Sequence, residues 1–238
     1  MDPRTPSTAT AVVAVDGPSG SGKSSVSRGV ARDLGLRYLD TGAMYRAITW
    51  AVLRDGVPTS DPTSVATAAR SATLDWSTDP DESWIHVDGV DVSRAIREQS
   101  VTSAVSAVAA VPEVRALLVE LQRGAVRSAL GVGQGIVVEG RDIGAVVLPD
   151  ADLKVWLVAD PAVRAARRAA EDAAAGRAHV TSSESIAADL ARRDAADATR
   201  AASPTTQAAD AVVVDATHMG LAEVVAAVVA LVRERVAS

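Results

Sequence analysis

The residues with the clearest chemical meaning are residues 17–24, which match the pattern G-x-x-x-x-G-K-[ST]. Glycines in such a segment let backbone N–H groups turn towards an anion, and the helix that follows presents the positive end of its dipole to it. Lys23 and the hydroxyl of Ser24 are then placed to contact phosphate oxygens and Mg²⁺. The segment therefore predicts a phosphate-binding loop for a nucleoside triphosphate.

The surroundings of this loop favour that interpretation over the alternative, an ordinary Gly/Ser-rich turn. The apolar run of residues 11–15 precedes it as a strand would, and a helical pattern follows. Lysine is also rare, since all of the 24 basic residues except Lys23 and Lys154 are arginines. The predicted triphosphate site comprises the loop and the start of its helix: Gly17, Pro18, Ser19, Gly20, Ser21, Gly22, Lys23, Ser24 and Ser25.

Arginine recurs in short polar motifs elsewhere in the chain. These motifs, at residues 39–46, 138–144, 192–194 and 197–200, contribute Arg46, Arg141, Arg192, Arg193 and Arg200. The planar guanidinium suits them to phosphate oxygens. Three more arginines, Arg164, Arg167 and Arg168, begin a predicted helix and form either a solvated face or a lid over a triphosphate. Because a phosphate loop is present, we favour the lid.

Missing residue types narrow the class of phosphate-loop protein. The chain contains no asparagine, so it cannot carry the Asn-Lys-x-Asp motif with which GTPases read guanine. It also lacks the compact apolar run ending in Asp-Glu that motor ATPases use. A kinase that acts on a small molecule fits the remaining pattern.

The elements that must position these residues follow from five short, mostly β-branched runs that end in an acidic residue. The runs are residues 11–16, 36–40, 136–139, 153–160 and 211–215. Helical patterns separate most of them, which is typical of a parallel sheet with helices on both faces. The sequence thus predicts an α/β fold of the P-loop NTPase type with a five-stranded parallel sheet. Ligands of such sheets bind at the carboxyl ends of the strands, where the phosphate loop also lies.

A long insertion interrupts this alternation, because about 80 residues are too many for a single βα connection. Within it, residues 84–92 alternate around Asp88-Gly89 and predict a β-hairpin. Pro112 then opens a helical stretch, residues 113–130. The predicted organisation is a disordered tail (1–10) and a kinase domain (11–238) with a core (11–55 and 131–238), a nucleotide-binding insertion (56–130) and a helical lid (164–200).

The overall composition points away from other partners. The net charge of −6 gives no field that would attract nucleic acid or an anionic membrane. There is no cysteine, and the three histidines are widely separated, so a dedicated metal cage is not expected. The N-terminus lacks a signal-peptide pattern, and the apolar run 224–232 is too short to cross a bilayer and predicts a buried helix. We expect a cytoplasmic monomer.

These segments together resemble the bacterial cytidylate (CMP) kinases. The resemblance rests on residues 17–24, 40–46 and 139–144, on Ser106 with Pro112 and Arg115, and on Arg193 with Asp197 and Arg200. It spans residues 12–232 and includes the long insertion, which distinguishes that family from the shorter adenylate and uridylate kinases. The chain departs from many relatives at Thr41, where serine is frequent, and at Glu139, where some have aspartate.

The resemblance implies that ATP phosphorylates CMP or dCMP. By matching positions, Arg46, Arg141 and Arg200 would hold the acceptor phosphate. Ser106, Arg115 and Asp142 would face cytosine, Arg193 and Asp197 would lie at the sugar, and Thr41 would complete the site. The predicted catalytic residues are Lys23, Arg141, Arg164, Arg168 and Arg200. Mg²⁺ would arrive with ATP and contact Ser24, and Glu139 could hold one of its water molecules.

Two alternatives remain open from the residues alone. The first is a phosphate-loop kinase for another small acceptor, such as shikimate or dephospho-coenzyme A; the arginines around a presumed monophosphate and the long insertion argue against it. The second is a nucleotide-binding protein without turnover, which the intact Lys23, Ser24 and arginine set disfavours.

Overall fold

The computed structural model describes residues 7–174, 183–199 and 205–237. In chain order the elements are β1 (Val12–Asp16), α1 (Lys23–Leu34), β2 (Arg37–Asp40), α2 (Thr41–Arg54), α3 (Pro62–Ser71), β3 (Leu74–Trp76), β4 (Ile85–Val87), β5 (Val90–Asp91), α4 (Gln99–Ala109), α5 (Pro112–Gly131), β6 (Ile136–Gly140), β7 (Leu153–Val158), α6 (Pro161–Ala174), α7 (Ser183–Ala198), β8 (Val212–Asp215) and α8 (Leu221–Ala237).

The main sheet consists of five parallel strands in the order β2-β6-β1-β7-β8. Every residue of the central strand β1 is buried, as expected where helices cover both faces. The predicted α/β fold with a five-stranded parallel sheet is confirmed. The strand bounds differ from the predicted ones by one or two residues.

The carboxyl ends of all five strands lie along one edge of this sheet because the strands are parallel. Asp16 at the end of β1 is in register with Gly140 of β6, and Asp40 of β2 is in register with Glu139. The phosphate loop leaves β1 at the same edge, directly after Asp16. The sheet therefore gathers acidic strand ends around the loop.

Two hydrophobic clusters cover the two faces of the sheet. Val13 and Val15 of β1 pack with residues of α1 and α8, and five valines of α8 are buried, which confirms the buried helix predicted near the C-terminus. Val12 and Ala14 belong to a second cluster that also contains residues of α2, α3 and α5. The sheet thus separates a compact pair of helices from the larger insertion.

The insertion forms a small antiparallel sheet, β3-β4-β5, with α3, α4 and α5. The predicted hairpin is confirmed: β4 and β5 are joined by Asp88 (φ 52) and Gly89 (φ 78), a turn in which both residues have positive φ. The predicted helix after Pro112 is confirmed as α5. Residues of the insertion such as Val65 and Leu118 share one cluster with the main sheet, while the domain boundaries stay a prediction.

A short helix precedes the first strand of the main sheet. Residues Thr8–Thr10 form a 3₁₀ helix, and Gly135 N–H donates to Ala9 O at 2.6 Å, so the disorder expected for residues 1–10 is wrong for this part. Residues 1–6, 175–182, 200–204 and 238 lie outside the described part, so the predicted lid (164–200) is described only in its two helices. None of the described helices combines the length and apolar character that a membrane span needs.

Candidate active site

The phosphate loop has the backbone conformation that its glycines predict. Gly17 and Gly22 have φ of 149° and 96°, and a Cβ on Gly17 would stand 2.1 Å from the carbonyl oxygen of Leu157. Only glycine can therefore pass this close to β7. Helix α1 begins at Lys23, directly after the loop, so its N-terminal N–H groups face the space that the loop encloses.

Lys23 is buried within this loop. Its Nζ donates to the carbonyl oxygen of Pro18 at 2.6 Å. Burial, and then the positive charge of Arg141, lower the pKa of Lys23 to about 7, although Glu139 and Asp16 oppose the shift. A bound phosphate would supply the negative charge that favours the protonated amine. The loop is thus electrostatically prepared for an anion.

One cleft at the carboxyl edge of the sheet brings together most of the predicted site residues. Those that line it come from the phosphate loop, the predicted acceptor site and the lid: Ser19, Gly20, Gly22, Lys23, Ser24, Thr41, Arg46, Ser106, Arg115, Glu139, Arg141, Asp142, Arg168, Arg193 and Asp197. The predicted residues absent from the lining are Gly17, Pro18, Ser21, Ser25 and Arg164. Arg200 lies outside the described residues.

Four guanidinium groups converge in this cleft. Burial lowers the pKa of Arg193 to about 10, and the charges of Arg141, Arg46 and Arg168 add to this shift while Asp197 opposes it. Arg141 Nε also lies 3.3 Å from a carboxylate oxygen of Asp197. The charges of the three neighbouring arginines thus oppose protonation of Arg193, in addition to burial. Such a cluster suits a phosphate with two negative charges.

Arg46 is oriented by the residue that begins its own helix. Asp40 caps α2 by accepting from Ala43 N–H at 2.8 Å, and its other oxygen lies 3.2 Å from Arg46 Nη2. Burial alone would raise the pKa of Asp40, but Arg46, the Ala43 N–H and the charges of Arg97 and Arg28 together lower it. Asp40 therefore stays ionised and keeps Arg46 at the cleft wall.

A buried ion pair stands deeper in the cleft. Arg115 of α5 and Asp142, which follows β6, form a hydrogen-bonded pair whose side chains are 5% and 7% exposed. The Arg115 guanidinium also lies 5.4 Å from the ring centre of Tyr45. Ser106 of α4 lines the same region. The arrangement presents a carboxylate, a guanidinium and a hydroxyl to any ring that enters.

Asp16 was not predicted as a site residue, yet it organises the segment that carries Arg141 and Asp142. Its two carboxylate oxygens accept from Ile143 N–H and Gly144 N–H, each at 2.8 Å. Burial raises the pKa of Asp16 to about 6, although these two hydrogen bonds oppose the shift. The acidic strand ending was visible in the sequence, but its partners lie more than a hundred residues away.

Glu139 and Ser24 are the residues that could contact Mg²⁺. Glu139 is buried, accepts a hydrogen bond from the Tyr38 hydroxyl and interacts with the Ser24 hydroxyl. Burial and the charge of Asp40 raise the pKa of Glu139. Within the described residues no cluster of three carboxylate or histidine ligands exists. This oxygen-only, sparse donor set fits Mg²⁺, which keeps several waters and binds mainly through substrate phosphates.

The lid helices α6 and α7 contact the cleft from the other side. Arg168 lines the cleft, and its Nε lies 3.0 Å from a carboxylate oxygen of Asp172 on the same helix. Arg164 instead pairs with Asp194 of α7 at 2.5 Å and donates to the Ser19 carbonyl at 2.9 Å. Of the two lid arginines predicted to be catalytic, Arg168 therefore lines the cleft and Arg164 does not.

Several lining residues were not singled out from the sequence. Asp40 and Tyr45 lie within the 39–46 motif, which could have signalled them, whereas Arg97 and Leu190 lie outside every motif. Arg97 is the last residue of a 3₁₀ turn, Ala95–Arg97, which precedes α4. This turn packs directly against α2, which brings Arg97 to the cleft.

The parallel sheet, the glycine-rich loop and the arginine-lined cleft together define a phosphate-loop kinase of the α/β class. The family model described as "Cytidylate kinase" matches residues 13–234. The cytidylate kinase of Streptomyces avermitilis is 53% identical over 94% of this chain and 93% of its own length. Those of Streptomyces griseus subsp. griseus and Rhodococcus opacus are 54% and 52% identical, over 95% and 96% of this chain and 95% and 97% of their own lengths. The chain belongs to the cytidylate kinase family.

Proposed function

We propose that the protein transfers the γ-phosphate of ATP to CMP or dCMP, giving ADP and CDP or dCDP. The observation that carries this proposal is the content of one cleft. It joins Lys23 of a phosphate loop, a convergence of arginines and the buried Arg115–Asp142 pair. The first group binds a donor triphosphate, the second an acceptor phosphate, and the third recognises the base attached to it. The names of the relatives support the same acceptor.

On the donor side, the loop N–H groups and Lys23 bind the phosphates of ATP. The amine of Lys23 is buried and donates to the Pro18 carbonyl within the loop. It acts on the phosphates as a compact point charge. Ser24 and Glu139 would hold Mg²⁺, directly and through water. When bound, the metal neutralises charge on the triphosphate.

On the acceptor side, Arg46 and Arg141 bind the monophosphate, and Arg193 and Asp197 lie towards the sugar. The low pKa of Arg193 among its arginine neighbours supports a place for an anion here. Thr41 lines the cleft beside Glu139 and donates to the Glu139 carbonyl at 2.7 Å, which fixes the start of α2. Arg200, which lies outside the described residues, stays a predicted third phosphate ligand.

Base selection follows from hydrogen-bond chemistry. An ionised Asp142 can only accept, so it pairs with the exocyclic amine of cytosine and repels the carbonyl that uracil carries there. Arg115 and Ser106 donate to the ring nitrogen and carbonyl of cytosine. The ion pair between Arg115 and Asp142 holds both groups in place before the base arrives.

The reaction needs no general base. The attacking oxygen belongs to a phosphate monoester, whose second pKa is about 6, so it is largely ionised at neutral pH. Catalysis then consists of alignment and neutralisation of charge on the transferred group, by Lys23, Arg141 and Arg168. We propose that α6 and α7 close over the cleft and exclude water, which would otherwise compete as acceptor.

An acceptor screen tests this proposal. With ATP and Mg²⁺, the wild-type protein should phosphorylate CMP and dCMP with kcat/KM up to about 10⁴-fold above that for UMP, because unpaired polar groups penalise uracil. AMP and shikimate should be poor acceptors. Equal use of UMP and CMP would overturn the base assignment, and preference for shikimate would identify a different kinase.

Two variants separate base recognition from phosphate binding. Asp142→Ala should narrow the ratio between CMP and UMP mainly by impairing CMP. Arg46→Ala should impair both nucleotides alike, because a phosphate contact carries no information about the base. An unchanged ratio in Asp142→Ala would remove this residue from the base pocket. The cytoplasmic location and monomeric state stay predictions, which cell fractionation and light scattering would test.

A further inference from the structure

Both lid helices bind the backbone of one phosphate-loop residue, Ser19. A carboxylate oxygen of Asp194, on α7, accepts from Ser19 N–H at 2.9 Å. Arg164 Nη1, on α6, donates to the Ser19 carbonyl at 2.9 Å. The same Nη1 lies 2.5 Å from the other oxygen of Asp194. The three groups therefore form a closed ring of hydrogen bonds that joins α6, α7 and the loop.

This ring is largely removed from solvent. The side chains of Arg164 and Asp194 are 13% and 23% exposed, and Ser19 is buried. Hydrogen bonds to charged groups are stronger than neutral ones, and partial burial reduces their screening by salt. Ser19 is consequently held more firmly than a surface loop residue would be.

Neighbouring contacts of α6 act on the same loop. Arg167 Nη1 donates to the Ser21 carbonyl at 3.1 Å. A Cβ on Gly20 would stand 3.0 Å from the carbonyl oxygen of Arg164, so the loop backbone lies directly against α6. The carbonyls of Ser19 and Ser21 thus have arginine donors from one helix, whereas the Ser19 N–H depends on Asp194.

Ser19 also connects this ring to the opposite side of the cleft. Its hydroxyl accepts from Arg141 Nη2 at 2.8 Å, and Arg141 is one of the converging arginines. This contact uses the hydroxyl of Ser19, whereas Asp194 and Arg164 contact its backbone N–H and carbonyl. A change in its backbone direction would move the loop that surrounds Lys23.

We propose that Arg164 and Asp194 are positioning residues that hold the phosphate loop in its triphosphate-binding conformation. The inference rests on the proposed function for the identity of the nucleotide. Asp194 supplies the acceptor for the Ser19 N–H, and Arg164 supplies the donor for the Ser19 carbonyl. Arg164 accordingly acts through Ser19 and not on the transferred phosphate.

Equilibrium binding of ATP and of CMP, measured separately by calorimetry, tests the proposal. Asp194→Ala should weaken ATP binding about 10-fold to 100-fold, the range for loss of a hydrogen bond to a charged group. CMP binding should change by less than about 3-fold, since the Arg115–Asp142 pair is untouched. Asp194→Asn should recover most of the ATP affinity, because its amide oxygen can still accept from Ser19 N–H.

The exchanged pair, Arg164→Asp with Asp194→Arg, separates positioning from simple stabilisation. It keeps an ion pair between α6 and α7, but an arginine cannot accept from Ser19 N–H and an aspartate cannot donate to its carbonyl. In the exchanged protein, ATP binding should be at least about 10-fold weaker than in the wild type, while the melting temperature should return to the wild-type value. Recovery of ATP affinity in the exchanged protein would overturn the proposal.

Asp189→Ala is the matched control, because Asp189 forms an exposed ion pair with Arg192 on the same helix, 3.0 Å apart. It should leave ATP binding unchanged. Wild-type ATP affinity in Asp194→Ala, or equal weakening of ATP and CMP, would refute the positioning role. Failure of the wild type to phosphorylate CMP would instead refute the proposed function, and the ATP-binding comparison would still be valid.

Discussion

The two sides of the cleft are built differently. On the acceptor side, Arg46, Ser106 and Arg115 come from α2, α4 and α5, three helices that bury apolar residues in the cluster shared with the main sheet. On the lid side, the buried residues of α6 and α7 within their described parts are Ala165 and Leu190. Polar contacts join these helices to the rest of the protein: Arg164 and Arg167 donate to backbone carbonyls outside the lid, and Asp194 accepts from Ser19 N–H.

This difference indicates which side of the cleft is fixed by packing and which side can open easily. Apolar burial and close packing fix the acceptor side, so its polar groups are in place before a nucleotide binds. Regions with few buried apolar contacts open at low free-energy cost, which suits the closure of α6 and α7 that we propose. We expect the loss of an ion pair to lower the unfolding free energy strongly on the acceptor side and only slightly within the lid.

The largest effect on stability is expected from Arg115→Ala. It leaves the buried Asp142 carboxylate without the charge of Arg115, and breaking a buried ion pair costs about 3–5 kcal/mol. Urea denaturation should measure the loss. The double change Arg115→Met with Asp142→Leu should be less destabilising than Arg115→Ala, because no charge stays buried. Destabilisation below about 1 kcal/mol would show that the acceptor side is not fixed in this way.

Lys23→Ala should produce the largest loss of activity within a folded protein. Removing one preorganised charge from a reaction of this kind lowers kcat by about 10²-fold to 10³-fold. Lys23→Arg should also fail, because a planar fork does not replace a point charge within the loop. Steady-state kinetics and circular dichroism measure both. Near-normal turnover of either folded variant would contradict the assignment of Lys23.

Asp16→Asn should change how stability depends on pH. The pKa of Asp16 is raised from 3.8 to about 6, so the folded protein holds this proton more tightly than the unfolded chain. The stability that protonated Asp16 contributes is present below about pH 4 and lost as the pH rises through 6. Two pKa units correspond to about 3 kcal/mol at most.

The measurement is the difference in unfolding free energy between wild type and Asp16→Asn from pH 4 to pH 7. The unfolding free energy of the wild type should fall relative to that of Asp16→Asn as the pH rises. The contributions of the other carboxylates cancel because both proteins contain them. A difference that is flat over this range would mean that the pKa of Asp16 is not raised in the folded protein.

The smallest effect is expected on the lid, from Asp172→Ala. The pair between Asp172 and Arg168 is four residues apart on one helix and partly exposed, so its loss should cost less than about 1 kcal/mol. Thermal denaturation should show little change. Arg168→Ala should be equally stable but should lower kcat, because Arg168 faces the cleft. A large destabilisation by Asp172→Ala would remove the contrast between the two sides.

Local sequence patterns were sufficient to predict the main sheet, the phosphate loop, the hairpin at Asp88-Gly89 and the helix after Pro112. Each depends on neighbours within about ten residues, such as alternation, a glycine pattern or a proline at a helix start. The strand β3 and the helices α3 and α4 were not predicted. Their short or weakly periodic sequences acquire stability from packing against the hydrophobic cluster around Leu118 and Val65.

The residues that could contact substrates were named from the sequence, and most of them line one cleft. The residues that hold them were not. Asp16 and Asp194 contact backbone N–H groups that are 127 and 175 positions away in the chain, and Tyr38 contacts Glu139 across 101 positions. No spacing rule spans such separations, because the strand order of the sheet decides which loops meet.

The sequence by itself determined the chemistry available to this protein: a lysine in a glycine loop, arginines in short motifs and acidic residues at strand ends. These depend on local backbone preferences and on side-chain type. Only the tertiary structure decided how the charges are paired and exposed. The fold buries Asp142 against Arg115 and turns Arg164 away from the cleft towards Ser19, because hydrogen-bond partners and desolvation are set by what packs nearby in space.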